Sequence, residues 1–405
     1  MPKSTPSADQ TSESAPGPDA PRRELVGPFG RRALRIGRVF DIDVGLDLSW
    51  IFIFLLITFS LAKGFAQGDE GWTPVESWTG ALLASLCFFA SILLHEFGHS
   101  LTSRALGLPV HSITLFIFGG VARLSGEPKR PRDEFLIAAA GPAVSLVLGL
   151  CFLLVSGVLP EEPSALKVLG VVFGWLGSIN LILAAFNLLP GFPLDGGRLF
   201  RAAIWHFTGD FERATIAAAT TGSFFAYLLI GGGILTALLG GALFNGLWMA
   251  FIGWFLLSAA QGSSLQVILK RQLGDIALGP AAAPLEPMVR EDATVAEVIE
   301  EIVLKHGRRT LFVGDTERPL GMLTLHELKQ VPAQERDRTT VRSIMLTTPK
   351  LVTAQHDASL WKGLELMNEA RINQLPIEQD GRLVGVLTRE RLLGIIQSVR
   401  ELESR

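Results

Sequence analysis

The chain has 405 residues, a formal net charge of −3, and 48% apolar against 19% charged residues. That length holds two or three domains, and the near-neutral balance gives no footing for a nucleic-acid partner. The two cysteines, Cys87 and Cys151, lie in apolar runs; they exclude a disulfide framework and read as small buried hydrophobes.

Residues 1–34 begin rich in Ser, Pro, Ala and Asp and end with Arg22, Arg23, Arg31 and Arg32. The segment has no apolar stretch of the signal-peptide kind and is expected to be disordered. Residues 35–269 then carry six apolar runs, approximately 46–65, 78–106, 135–159, 168–189, 214–239 and 242–261. Each is long enough to cross about 30 Å of hydrocarbon as a helix. Between 214 and 269 there is no Asp, Glu, Lys or Arg, which argues for lipid rather than water as the solvent. Pro142, near the start of the third run, is tolerable in a membrane helix.

The loops set an orientation. Arg35 and Arg38 precede the first run, Arg123, Lys129, Arg130 and Arg132 follow the second, and Arg198, Arg201 and Arg213 follow the fourth. These ends belong in the cytosol. The opposite loops carry Asp69, Glu70, Glu76, Glu161 and Glu162. Six crossings return the chain to the cytosol at Lys270 and Arg271, so a multi-pass protein of the cell membrane is expected, its N-terminus and tail cytoplasmic.

In the second run, His95-Glu96-Phe97-Gly98-His99 follows the charge-free stretch 78–94. On a helix the two histidines lie one turn apart on one face, so both imidazoles can bind one zinc ion. Glu96 points elsewhere, where it can take a proton from the attacking water. A carboxylate in mid-membrane costs about 3 kcal/mol or more, which a chance match to the pattern does not explain. Zinc needs a third protein ligand. Asp195 fits: it is the first charge after Lys167, in Asn187-Leu188-Leu189-Pro190-Gly191-Phe192-Pro193-Leu194-Asp195-Gly196-Gly197. Its bland alternative is a cap for the helix that follows. Asn187 either donates to a substrate carbonyl or oxyanion or bridges two helices.

Between the second and third runs, 110–118 is β-branched and aromatic and ends at Gly119-Gly120. It predicts one arm of a hairpin continuing through 121–124. A strand edge in a wet cavity can take an extended peptide as an extra strand, which nominates Ile113, Leu115, Phe116, Gly119 and Gly120 as substrate contacts. The fold class is therefore a six-helix membrane protein with a short membrane-associated β-hairpin, followed by a soluble α+β tandem. In the tail, Asp292-Ala293-Thr294-Val295 is matched by Asp357-Ala358-Ser359-Leu360, and Gly321-Met322-Leu323-Thr324 by Gly385-Val386-Leu387-Thr388. That is a tandem repeat of a βαββα-like module.

With these residues in hand, the chain over approximately 35–265 resembles the site-2 protease family of intramembrane zinc metalloproteases. The likeness rests on His95 to His99, on Phe118-Gly119-Gly120 and on Asn187 to Gly197. It implies one zinc held by His95, His99 and Asp195, Glu96 as general base, and Asn187 holding the substrate. One departure is Ser145, where the family often has Asn, which weakens the case for a polar contact there and leaves the metal site untouched. The tail resembles a pair of cystathionine-β-synthase (CBS) domains, at 280–332 and 338–400. Such pairs often bind adenine nucleotides, but the usual ribose-binding Asp positions hold Glu327 and Arg391. A homodimer through the pair is the safer expectation. The implied function is regulated cleavage of transmembrane substrates, by resemblance a membrane-tethered transcription regulator or an anti-sigma-type inhibitor. Two other readings stay open, a CBS-regulated membrane transporter and a catalytically silent scaffold for membrane proteins.

Overall fold

The computed structural model describes residues 33–68, 72–124, 126–159, 164–286, 288–315 and 318–403. The expected disordered segment 1–34, except its last two residues, lies outside them, as do Asp69, Glu70, Glu161 and Glu162 of the loops. The chain divides into two compact units, 1–261 and 262–405.

The first unit is built on long apolar helices: α1 Leu48–Gln67, α2 Pro74–Ala105, α3 Pro131–Val158 and α4 Ser164–Asn187, then the shorter α5 Asp195–Thr208, and α6 Phe211–Leu239 and α7 Leu243–Gly274, whose residues past 261 belong to the second unit. All but α5 are long and apolar enough to cross a membrane, which gives six spans. Polar residues mark where they begin. The Asp47 carboxylate accepts from the Ser49 backbone N–H and caps α1. Thr73 and Glu76 form a capping box at α2, with Pro74 at its first turn. Helix α3 starts at Pro131, well before its apolar run, so Pro142 sits inside it. Cys151 is exposed on that helix rather than buried; Cys87 is half-buried. In a membrane span an outward thiol faces hydrocarbon, so it need not enter the core.

Four strands form one sheet in chain order: β1 Leu34–Val39, β2 Ile42–Leu46, β3 Val110–Phe116 and β4 Gly119–Leu124. The expected hairpin, β3 with β4, is present, with Ile113 opposite Ala122 and Phe116 opposite Gly119. It is half of a larger sheet, because β2 pairs in parallel with β3, from Asp43 opposite Ser112 to Leu46 opposite Leu115. Strand β3 is thus interior, and β4 is an edge. Ile42 and Val44 of β2 pack with Ile113, Val110 and the Phe97 ring of α2, which seats the sheet beside the His-Glu motif.

The second unit holds the two repeats, each in the order strand, helix, two strands, helix. The first has strands Met288–Val289, Thr310–Asp315 and Arg318–Thr324; the second has Ala354–Gln355, Gln374–Gln379 and Arg382–Thr388. From the helix cap to the next strand the repeats differ by one residue, Thr294 to Thr310 against Ser359 to Gln374. The first repeat absorbs the extra residue as a π-helical stretch, Ile299–Leu304, where the second has a regular α-helix, Leu360–Glu369.

Each repeat is completed by chain that precedes the other. Leu273, Leu278 and Ala281, ahead of the first repeat, are buried with Leu360, Leu375 and Leu387 of the second. Backbone bonds tie the same stretch down, Leu278 N–H to Ala358 O (2.8 Å) and Ala283 N–H to Val386 O (2.8 Å). Reciprocally, Val341 enters the core of the first repeat, with its N–H on Ala293 O and the Val295 N–H on Thr339 O, both 2.9 Å.

Candidate metal centre

Helix α2 buries both imidazoles of its motif, His95 and His99, against α3. The approach depends on Gly141, where a Cβ would run into the Nε2 atoms of both rings. Helix α3 also supplies the outer hydrogen bonds: His99 Nδ1 is 2.7 Å from the Ile137 carbonyl oxygen, and His95 Nδ1 is 2.9 Å from Ser145 Oγ. Ile137, Gly141 and Ser145 recur every four residues and so form one stripe along α3. A carbonyl can only accept, so Nδ1 of His99 carries the ring proton and its Nε2 lone pair turns inward.

Asp195 arrives from the other side. Helix α4 stops at Asn187, and the stretch 188–194, with two prolines and a glycine, turns the chain. The Phe192 N–H bonds Ala218 O of α6 at 3.1 Å. Asp195 is then the first residue of α5, and Leu194 takes the cap position. So Asp195 is not the cap that the alternative reading made it. Its Oδ2 lies 3.2 Å from His95 Nε2 and 3.1 Å from His99 Nε2, and the two Nε2 atoms are 3.2 Å apart. Three lone-pair donors this close repel one another unless positive charge sits among them. Donors about 2.0–2.1 Å from a tetrahedral zinc ion stand about 3.3–3.4 Å apart. The triangle has nearly that size, its nitrogen and oxygen donors suit zinc, and three ligands leave a fourth position open. Among the described residues it is the one cluster of His, Cys, Asp or Glu able to hold a metal ion.

Glu96 stands apart from the triangle. Its side chain is half-buried and lies over Gly120 of β4, where a Cβ would overlap it. Gly119 has φ +132°, open to glycine and strained for other residues. Asn187 is the last residue of α4, and one amide hydrogen is used within the helix, on Leu183 O at 3.1 Å. For Ile113, Leu115 and Phe116 the structure corrects the expectation. They are 0%, 4% and 6% exposed, on a strand bonded to neighbours on both sides, and cannot form an edge for a peptide. The edge is β4, which carries Gly119 and Gly120. The Ser145 hydroxyl does make a polar contact, to His95.

The sequence model of peptidase family M50 matches residues 83–169 and 161–231, and that of the CBS domain matches 284–333 and 341–398. A candidate zinc metalloprotease of Synechocystis sp. is 35% identical over 379 residues, covering 92% of this chain and 98% of the relative. The chain belongs to peptidase family M50. A candidate zinc metalloprotease of Mycobacterium tuberculosis is 34% identical over 360 residues, 88% of this M50 chain and 91% of the relative. Among solved structures, the site-2 protease from Methanocaldococcus jannaschii covers 57% of this chain and 95% of that chain, with 28% identity and a TM-score of 0.39. This M50 member is a zinc metalloprotease with six apolar membrane helices and a C-terminal CBS pair. That leaves the transporter and silent-scaffold readings without support.

Proposed function

We propose that the chain is an intramembrane endopeptidase in which His95, His99 and Asp195 hold one zinc ion and Glu96 moves the proton. The observation that carries this reading is the 3.1–3.2 Å triangle of donors with a carboxylate beside it in a membrane span. Zinc at that point supplies Lewis acidity, polarising the scissile carbonyl and acidifying water. Glu96 accepts the proton of the attacking water and returns it to the leaving amine.

The substrate is a transmembrane segment of a membrane-tethered transcription regulator or an anti-sigma-type protein, unwound locally and laid along the β4 edge. That path brings its backbone past Gly119 and Gly120 to Glu96, with Asn187 offering its remaining amide hydrogen. The N-terminus and the CBS pair lie on the cytoplasmic side, where the pair dimerises and regulates cleavage. An adenine nucleotide is disfavoured as effector. Glu327 closes the cap of its own helix on the Thr324 N–H at 2.9 Å, and Arg391 Nε donates to Ala281 O at 2.6 Å. Each already holds a backbone partner.

Glu96→Gln in the full chain, reconstituted in vesicles with a tagged transmembrane substrate, should abolish cleavage and leave zinc content and melting temperature unchanged. Cleavage by that variant at the wild-type rate sinks the mechanism.

A further inference from the structure

The third donor stands on a different helix from the two imidazoles. Leu194 at the cap of α5 makes no side-chain cap bond. We infer that a buried ion pair, Glu134 of α3 with Arg201 of α5, sets the position of Asp195; this rests on Asp195 being a zinc ligand. Glu134 is fully buried in the first turn of α3. Arg201 donates through Nε to its Oε1 at 2.8 Å, and a second guanidinium nitrogen bonds the same oxygen. Arg198 is more distant, with Nε at 3.8 Å. The Arg201 guanidinium also lies over two rings, Phe192 at 4.9 Å and Phe211 at 4.6 Å. One side chain thus touches α3, the turn before Asp195 and the start of α6.

Glu134 continues the α3 stripe that supports both imidazoles, three residues before Ile137. Arg201 is on the same helix as Asp195. The imidazoles are held by α3 directly, and the carboxylate is held by α3 through this pair. A buried ion pair stabilises a fold little more than apolar residues of equal volume do. What it adds is direction, because two nitrogens of one rigid, planar guanidinium donate to the same carboxylate oxygen, which few orientations allow. Apolar contacts would let α5 slip or turn, and a zinc site tolerates about 0.2 Å. Glu134 and Arg201 are positioning residues, not catalytic ones.

The test uses the full chain in detergent or nanodiscs and compares Glu134→Gln, Arg201→Met, Arg201→Lys, the double variant Glu134→Leu with Arg201→Met, and Asp195→Ala. Three quantities are read: zinc affinity by chelator competition, the visible spectrum of the cobalt-loaded protein, and the melting temperature of the metal-free protein. The double variant should melt like the wild type without metal, yet bind zinc roughly 10- to 100-fold more weakly, as loss of an outer-shell support does. Its cobalt spectrum should be altered, and Arg201→Lys should recover part of the loss. If the double variant binds zinc as tightly as the wild type while Asp195→Ala does not, the inference is wrong and the ligand set stands. Zinc loss that follows metal-free melting temperature across all variants also overturns it, since the pair would then only support the fold. Wild-type affinity in Asp195→Ala removes the ligand assignment itself, and this inference with it.

Discussion

At His95 the outer hydrogen bond goes to the Ser145 hydroxyl, and its removal has a measurable consequence. Ser145→Ala should weaken zinc binding roughly tenfold while the protein folds normally, as chelator competition on the purified chain will read. Gly141→Ala pushes a methyl into both imidazoles; it should cost about 1–3 kcal/mol of stability and remove zinc, seen by metal analysis beside a thermal melt. Acid should release the metal, because protons compete for the imidazole lone pairs. Affinity should fall with falling pH; a flat pH profile would contradict the ligand set. The motif residues were legible because charge inside an apolar run is costly and therefore conspicuous. Ser145 was not, since a serine in a span is ordinary, and the Ile137 carbonyl leaves no mark in a sequence at all.

Among the elements, the six spans were readable from length and hydropathy alone. Their starts were not, because helices begin at caps and prolines, such as Thr73-Pro74 and Pro131, outside the apolar runs. Strands β1 and β2 were missed for a different reason. Their stretch mixes arginine, glycine and aspartate with apolar residues, and it passes for the basic lead into a span. Without β2 the hairpin reads as free on both sides, so residues of β3 stand as edge candidates beside Gly119 and Gly120 of β4. The corrected edge makes a prediction of its own. Gly120→Ala should displace the Glu96 side chain, lowering kcat for cleavage while zinc content stays at the wild-type level. An unchanged kcat would show that β4 does not govern where that carboxylate sits. The π-helical turn of the first repeat, by contrast, was implicit in the spacing, one residue longer than in its twin.

For the whole molecule, the division into a membrane unit and a tandem tail follows from composition, whereas the exchange of segments between repeats does not. No local pattern announces that Leu278 belongs to a core shared with Leu360, Leu375 and Leu387 of the second repeat. A fragment begun at 338, just ahead of the second repeat, should therefore show no cooperative melt, because Leu360 and Leu375 lose their cover. The fragment 262–405 is a compact unit and should melt in one transition; calorimetry on both distinguishes the cases.

The same exchange bears on how the tail is made. As the chain leaves the ribosome, residues 273–283 emerge early and meet no partner. Leu360, Leu375 and Leu387, which cover them, are translated well after them. Until then an apolar strip waits open, so this tail closes only once the second repeat has been made and relies on whatever shields the strip in the interval.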